Sequence, residues 1–162
     1  SDHAGFELKE RIKAFLKNSS YDVEDCGAET FDPNDDYPDF VAKAAAAVSA
    51  DPENSRGIVF GGSGQAEAMV ANKFKNVRCA LFYAAVKPIK EADITGRKSE
   101  DHFEMIRLTK EHNNANCLSI GARFVSQEEA QLAVKLWLER EFTQEERHVR
   151  RLKKILEIEQ KG

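Results

Sequence analysis

The feature that most constrains the fold of this chain is a regular alternation of short apolar runs with helix-like segments. The apolar runs are five to seven residues long and rich in β-branched and aromatic residues, and they lie at 56–60, 77–83 and 117–122. These lengths and compositions are typical of buried strands. Strands that alternate with helices form a parallel sheet covered by helices. The sequence therefore predicts an α/β fold.

The helices of this pattern have recognisable local signals. Leu8, Ile12 and Leu16 recur at helical spacing, and Pro38 occupies a plausible first turn before a run of alanines. Helices are predicted at 5–18, 37–50, 65–74, 128–141 and in the segment before 117. Five helices imply about five strands, including one at 21–27 and a first strand expected to precede Ser1. The prediction is a doubly wound, Rossmann-like sheet of about five strands with helices on both faces.

Two segments depart from the alternation. Residues 86–104 contain Pro, Gly and many charges, and we interpret them as an inserted loop. Residues 144–162 are strongly charged with apolar residues at helical spacing, which predicts a C-terminal helix. At 162 residues and 18.2 kDa, the chain fits a single domain, 1–162.

Composition excludes several functional classes. A net charge of −4 disfavours general nucleic-acid binding. The three cysteines lack metal-ligand spacing and are interpreted as reduced core residues. An apolar span of 18 residues is absent, as is a signal-like N-terminus, so the expectation is a cytoplasmic protein that binds neither membrane nor nucleic acid.

Candidate site residues are sought beyond the carboxyl ends of the strands, where open α/β sheets bind ligands. Four polar segments are assigned to this edge and expected to converge on one crevice: SDH at 1–3, GGSG at 61–64, HNN at 112–114 and GAR at 121–123. The glycine-rich segment fits neither the dinucleotide fingerprint nor the P-loop. A tight turn without a ligand remains an alternative for it.

Glu67 is the most informative residue near that turn. A glycine-rich turn between strand and helix leaves backbone N–H groups free to bind an anion, and a carboxylate there would repel the anion unless it had a role. His3 and His112 taken singly are more typical of structural histidines, but the polar residues beside them favour a site. Arg147 and Arg151 lie one helical turn apart, as an anion clamp or as part of a solvated helix face.

Together these motifs resemble the type B ribose-5-phosphate isomerases, a group that includes the galactose-6-phosphate isomerases. The matching stretches are SDHAGFELK, DYPDF, GGSG followed by a helix ending in ANK, EHNNAN, GAR and RHVRR, in that order along the chain. The resemblance implies homodimers of doubly wound subunits. It also implies active sites completed by the partner subunit, and no metal or cofactor.

The resemblance also identifies the base. Many members carry a proton-abstracting cysteine directly before the glycine turn, where this chain has Gly61. A second branch has GGSG there and a glutamate on the following turn, which Glu67 matches. The residue before that glutamate is glycine in the second branch and Ala66 here.

The hypothesis is an aldose–ketose isomerisation through an enediolate. Glu67 is the base, Ser63 and the backbone amides around it stabilise the enediolate oxygen, and His112 opens the sugar ring. The amide positions are Gly62, Gly64, Gln65 and Ala66. By resemblance, Asp2 and Asn113 contact the sugar, Tyr37 walls the pocket, and the phosphate is held by His3, Arg123, Arg147 and Arg151.

The resemblance implies ribose 5-phosphate as substrate, within the pentose phosphate pathway. Two alternatives remain at this stage. The sugar is a hexose 6-phosphate such as allose or galactose 6-phosphate, or the chain is a sugar-phosphate sensor without activity. A complete set of base, ring-opening acid and phosphate clamp favours the enzyme, because binding alone does not need Glu67.

Overall fold

The computed structural model describes residues 1–161 and contains six helices around a parallel sheet. The helices are α1 (Phe6–Asn18), α2 (Tyr37–Ala50), α3 (Gln65–Ala71), α4 (Glu104–Glu111), α5 (Gln127–Leu138) and α6 (Glu146–Glu159). The strands are β1 (Gly57–Gly61), β2 (Cys79–Phe82) and β3 (Cys117–Gly121). The α/β class and the alternation of strands and helices predicted from the sequence are confirmed.

The sheet has the order β1-β3-β2, with all strands parallel. Within residues 1–161, no strand forms at 21–27, so that prediction is wrong. The sheet has three strands in this part of the chain, and the strand expected to precede Ser1 lies outside it. A strand requires backbone partners. Residues 21–27 are separated from β1 by a cavity of about 650 Å³ that both segments line.

Helices cover both faces of the sheet, as predicted. One core lies between the sheet and helices α1, α4 and α5, and it includes Ile12, Phe82, Ile106 and Trp137. The other core lies between the sheet and helices α2 and α3, around Val41 and neighbouring small residues. Strand β3 is buried along its whole length, and its alternate side chains supply one core or the other.

The inserted segment is ordered by ion pairs. No helix forms within 86–103 in the described part of the chain, and the last residue of the predicted insertion, Glu104, begins α4. Arg97 donates to Asp93 at 3.0 Å and to Glu104 at 2.5 Å, and Ser99 donates to the other oxygen of Glu104. These contacts tie the loop to α4.

The C-terminal helix α6 packs at the amino edge of the sheet. Before it begins, Thr143 donates its backbone N–H and hydroxyl to the carbonyl of Glu111 at the end of α4. Near its end, Glu159 accepts from the backbone N–H of Asn76 at 2.9 Å. Four apolar residues of α6 remain exposed on this single chain: Val149, Ile155, Leu156 and Ile158. Across residues 1–161, the structure has no helix long and apolar enough to cross a bilayer.

Candidate active site

The glycine turn after β1 is held in place by strand β3. Gly64 has a φ of 74°, in the left-handed region that favours glycine, and it directly precedes α3. Its carbonyl accepts a hydrogen bond of 2.6 Å from the hydroxyl of Ser119 on β3. Ser63 lies at the tip of the turn, where its Oγ accepts a long hydrogen bond of 3.4 Å from the N–H of Gln65.

Glu67 lies against Gly61 and is buried. Its side chain occupies the space above Gly61 so closely that a Cβ on this glycine would overlap the carboxylate. Glu67 is only 4% exposed. Burial raises the pKa of Glu67, and the nearby Asp2 carboxylate raises it further. The site thus contains a carboxylate with increased basicity at the carboxyl edge of the sheet.

The N-terminal segment brings two more polar residues to this edge. Asp2 is buried, and its Oδ1 accepts a hydrogen bond of 3.0 Å from the N–H of Ala4. His3 donates its backbone N–H and its ring Nδ1–H to Asp35 at 2.8 and 2.9 Å. Asp2, His3 and Asp35 have potential metal-ligating atoms within 4.8 Å of one another. Because Nδ1 of His3 is already bonded to Asp35, we interpret them as a hydrogen-bonded group.

Arg123 and Tyr37 also lie at the carboxyl edge of the sheet. Arg123 follows β3, donates its N–H to the carbonyl of Gly62 at 3.1 Å, and places its guanidinium beside Gly62. Tyr37 begins α2, which precedes β1 and runs back across it, so its first residue lies near the carboxyl end of β1. We call Asp2, His3, Tyr37, the turn 62–66, Glu67 and Arg123 the carboxyl-edge group.

The other predicted site residues lie at the opposite edge. His112 ends α4, five residues before β3 begins, and exposed Asn113 follows it. The ring of His112 stacks on that of His148 in α6 at 4.2 Å. Burial lowers the pKa of His148. Residues His112, Asn113, Arg147 and Arg151 form what we call the amino-edge group.

The two arginines of this group are differently placed. Arg147 is paired with Glu145 at 2.8 Å and lies beside His148. Arg151, one turn further along α6, is exposed. A phosphate bound here must compete with Glu145 for Arg147.

The two groups do not converge on one crevice within a single chain. The assignment of residues 112–114 to a carboxyl end is wrong, because they follow helix α4 and lead into β3. The ends of a five-residue strand such as β3 lie about 13 Å apart. A site that uses both groups therefore requires two chains.

Two residues that contact these groups were missed from the sequence. Asp35 belongs to a run of acids before α2 that resembles an ordinary polar loop, and only the fold brings it to His3. His148 is part of the RHVRR motif, where its position between the two arginines gave the only available signal.

Known proteins are similar to this chain over nearly its whole length. A family model described as Ribose/Galactose Isomerase matches residues 1–89 and 100–155. A ribose-5-phosphate isomerase B from Mycolicibacterium paratuberculosis is 40% identical over 159 residues, covering 98% of this chain and 88% of that protein.

Solved structures are similar over the whole chain. The crystal structure of ribose-5-phosphate isomerase B from Mycoplasma genitalium with bound ribulose-5-phosphate has a TM-score of 0.85 at 34% identity, covering 100% of this chain and 94% of that one. The enzyme of the same name from Clostridium thermocellum has a TM-score of 0.83 at 37% identity, covering 99% and 95%.

Proposed function

Because this chain belongs to the ribose/galactose isomerase family, we propose that it interconverts ribose 5-phosphate and ribulose 5-phosphate. The observation that carries the proposal is the buried carboxylate of Glu67 above Gly61, at the end of β1. The similarity to the Mycoplasma genitalium structure, whose ligand is ribulose-5-phosphate, supports the choice of sugar.

Glu67 is the base in this mechanism. It removes the proton from C2 of the open-chain aldose, and an enediolate forms. The hydroxyl proton moves from O2 to O1, and Glu67 returns its proton to C1 to give the ketose. A carboxylate whose pKa is raised by burial is a stronger base, once ionised, than an exposed one. Ser63 and the backbone N–H groups from Gly62 to Ala66 stabilise the negative oxygen of the enediolate.

The remaining roles fall to both edge groups. His112 protonates the ring oxygen as the furanose opens, and Asn113 and Asp2 contact the sugar. Arginine suits phosphate because its planar guanidinium binds two oxygens at once. The phosphate is held by His3, Arg123, Arg147 and Arg151.

The functional unit in this proposal is a homodimer with two shared sites. Each site combines the carboxyl-edge group of one subunit with the amino-edge group of its partner. Two observations support this: the separation of the groups within one chain, and the exposed apolar residues of α6 next to the amino-edge group. The reaction takes place in the cytoplasm, as expected for this class of metabolic enzyme.

Turnover with ribose 5-phosphate, compared with allose and galactose 6-phosphates, tests the proposal. We expect ribose 5-phosphate to be preferred, and Glu67→Gln to reduce turnover roughly 10²–10⁴-fold with substrate affinity little changed. A higher kcat/KM for a hexose phosphate would reassign the substrate. Binding of sugar phosphate without turnover by the native protein would identify a sensor instead.

A further inference from the structure

His3 is hydrogen-bonded to Asp35, a residue of the loop before α2. A single carboxylate oxygen, Oδ1 of Asp35, accepts hydrogen bonds from the backbone N–H of His3 at 2.8 Å and from its ring Nδ1 at 2.9 Å. The two residues are 32 positions apart in the chain. Asp35 therefore fixes both the main chain and the ring orientation of His3.

The burial of the two partners differs. The Asp35 side chain is 9% exposed and the His3 side chain 32% exposed. The second oxygen of Asp35, Oδ2, is buried without a hydrogen-bond partner in the described part of the chain. An ionised carboxylate in this position is costly unless a positive charge lies beside it. His3 provides that charge when its ring is protonated.

The surroundings of His3 favour the protonated ring. The charged groups that face it are Asp35 from the loop before α2 and Asp2 from its own segment, and the ring of Phe31 packs against it edge-on. The hydrogen bond with Asp35 is the main reason that the pKa of His3 is raised, and Asp2 adds to it. Partial burial of the ring lowers the pKa of His3 but does not outweigh these effects.

We propose that Asp35 is a positioning residue that holds His3 as a cation with Nε2–H directed at the substrate phosphate. The inference rests on the proposed function, in which His3 contacts that phosphate. Because Nδ1–H is donated to Asp35, Nε2 is the nitrogen left for a ligand. A charged N–H donor binds phosphate oxygen about twice as strongly as a neutral donor. Asp35 thus acts on binding through His3.

Asp35→Asn tests the inference, because asparagine keeps the size and one oxygen acceptor but removes the charge. We expect the pKa of the His3 ring, measured by NMR titration, to fall. We expect KM for ribose 5-phosphate to rise roughly threefold to tenfold at pH values between the lowered pKa and the native pKa of His3. The rise should be smaller outside that range, and kcat should change by less than about twofold. The substrate phosphate also ionises in this pH range. Because the native protein is measured in the same buffers, this ionisation affects KM of both proteins equally.

Two further variants separate this effect from a structural one. Asp36→Asn makes the same charge change on the adjacent exposed residue, whose side chain does not cap α2, and it should leave KM and the pKa of His3 unchanged. In protein that already carries His3→Asn, adding Asp35→Asn should change KM by less than about twofold, since the residue through which it acts is gone.

An unchanged pKa of His3 in Asp35→Asn would overturn the inference, as would an effect of Asp35→Asn that persists in the His3→Asn background. The NMR titration, repeated with inorganic phosphate, requires no turnover. Phosphate should shift the His3 signals of the native protein more than those of Asp35→Asn. If the native protein failed to isomerise any sugar, the proposed function would fall, and this titration would still decide whether Asp35 controls His3.

Discussion

At the scale of single residues, Gly61 and Glu67 share one space. The carboxylate of Glu67 occupies the position that any side chain at residue 61 would need. A base supplied from position 61 and a base supplied from position 67 are therefore sterically exclusive in this backbone. This explains physically why glycine accompanies glutamate here.

Gly61→Ala should displace Glu67 and so impair both stability and turnover. We expect a loss of about 1–3 kcal/mol in the free energy of unfolding, typical of overpacking, measured by denaturant titration. In a Glu67→Ala background the space is vacant, so the same substitution should cost much less. Equal costs in the two backgrounds would show that Glu67 does not fill the space above Gly61.

Glu67 should also reduce the stability of the native protein at neutral pH. Its pKa is raised on folding, so the folded state binds a proton more tightly than the unfolded state, and stability falls as pH rises from the unfolded value of 4.5 through the raised folded value. Glu67→Gln removes this loss. We expect a higher melting temperature for Glu67→Gln than for the native protein at pH 7, and a difference that vanishes below about pH 4.5. A lower melting temperature at pH 7 would contradict the burial of an ionisable carboxylate.

At the scale of elements, the sequence correctly predicted the helix ends that depend on local interactions. Helix α2 begins and ends where the sequence predicted, because Pro38 and the alanines need no tertiary partner to favour a helix. Helix α3 ends at Ala71, short of the predicted Phe74. The carboxamide of Asn72 donates to the carbonyl and accepts from the N–H of Cys79 on β2, and this long-range contact left no sequence pattern.

The inserted loop was predicted from its composition, but its attachment was not. Glu104 is 2% exposed, and burial alone would raise its pKa. Arg97 and Ser99 outweigh that effect and lower the pKa. The pairing of Arg97 with Glu104 is therefore a contact that holds the loop on the first turn of α4.

Arg97→Ala should release this loop and leave the Glu104 carboxylate buried without its cation. We expect a loss of about 1–3 kcal/mol in the free energy of unfolding at neutral pH. Because the pKa of Glu104 is lowered on folding, the loss should shrink as pH falls from 4.5 through the folded value. Lys98→Ala, a neighbouring exposed cation without an ion pair in the described residues, is the matched control. Equal effects of the two substitutions at neutral pH would rule out the anchoring role of Arg97.

At the scale of the whole molecule, the arrangement of the candidate site depends on strand direction. The motifs identified the residues, but they did not indicate that His112 lies at the start of β3 while Glu67 lies beyond the end of β1. In a parallel sheet these are opposite edges. Sequence motifs therefore assign residues to a reaction without showing which chain supplies each of them to a given site.

Mixing two defective proteins tests whether base and clamp come from different chains. In the proposed homodimer, Glu67→Gln removes the proposed base from both sites, and Arg151→Ala removes part of the proposed phosphate clamp from both. In a heterodimer, one site carries both defects and the other carries neither. Free exchange of subunits should therefore restore up to about a quarter of native activity at low substrate concentration, since half of the dimers are mixed and each has one intact site.

The matched control pairs two defects from the same edge group. In a heterodimer of His112→Asn with Arg151→Ala, each site carries one defect, because both residues belong to the amino-edge group. This mixture should stay as inactive as its parents, whereas Glu67→Gln mixed with His112→Asn should recover activity. Mass spectrometry of the mixtures establishes that heterodimers form. Recovery in the control mixture, or none in the two test mixtures when heterodimers are present, would contradict a site built from the carboxyl edge of one subunit and the amino edge of the other.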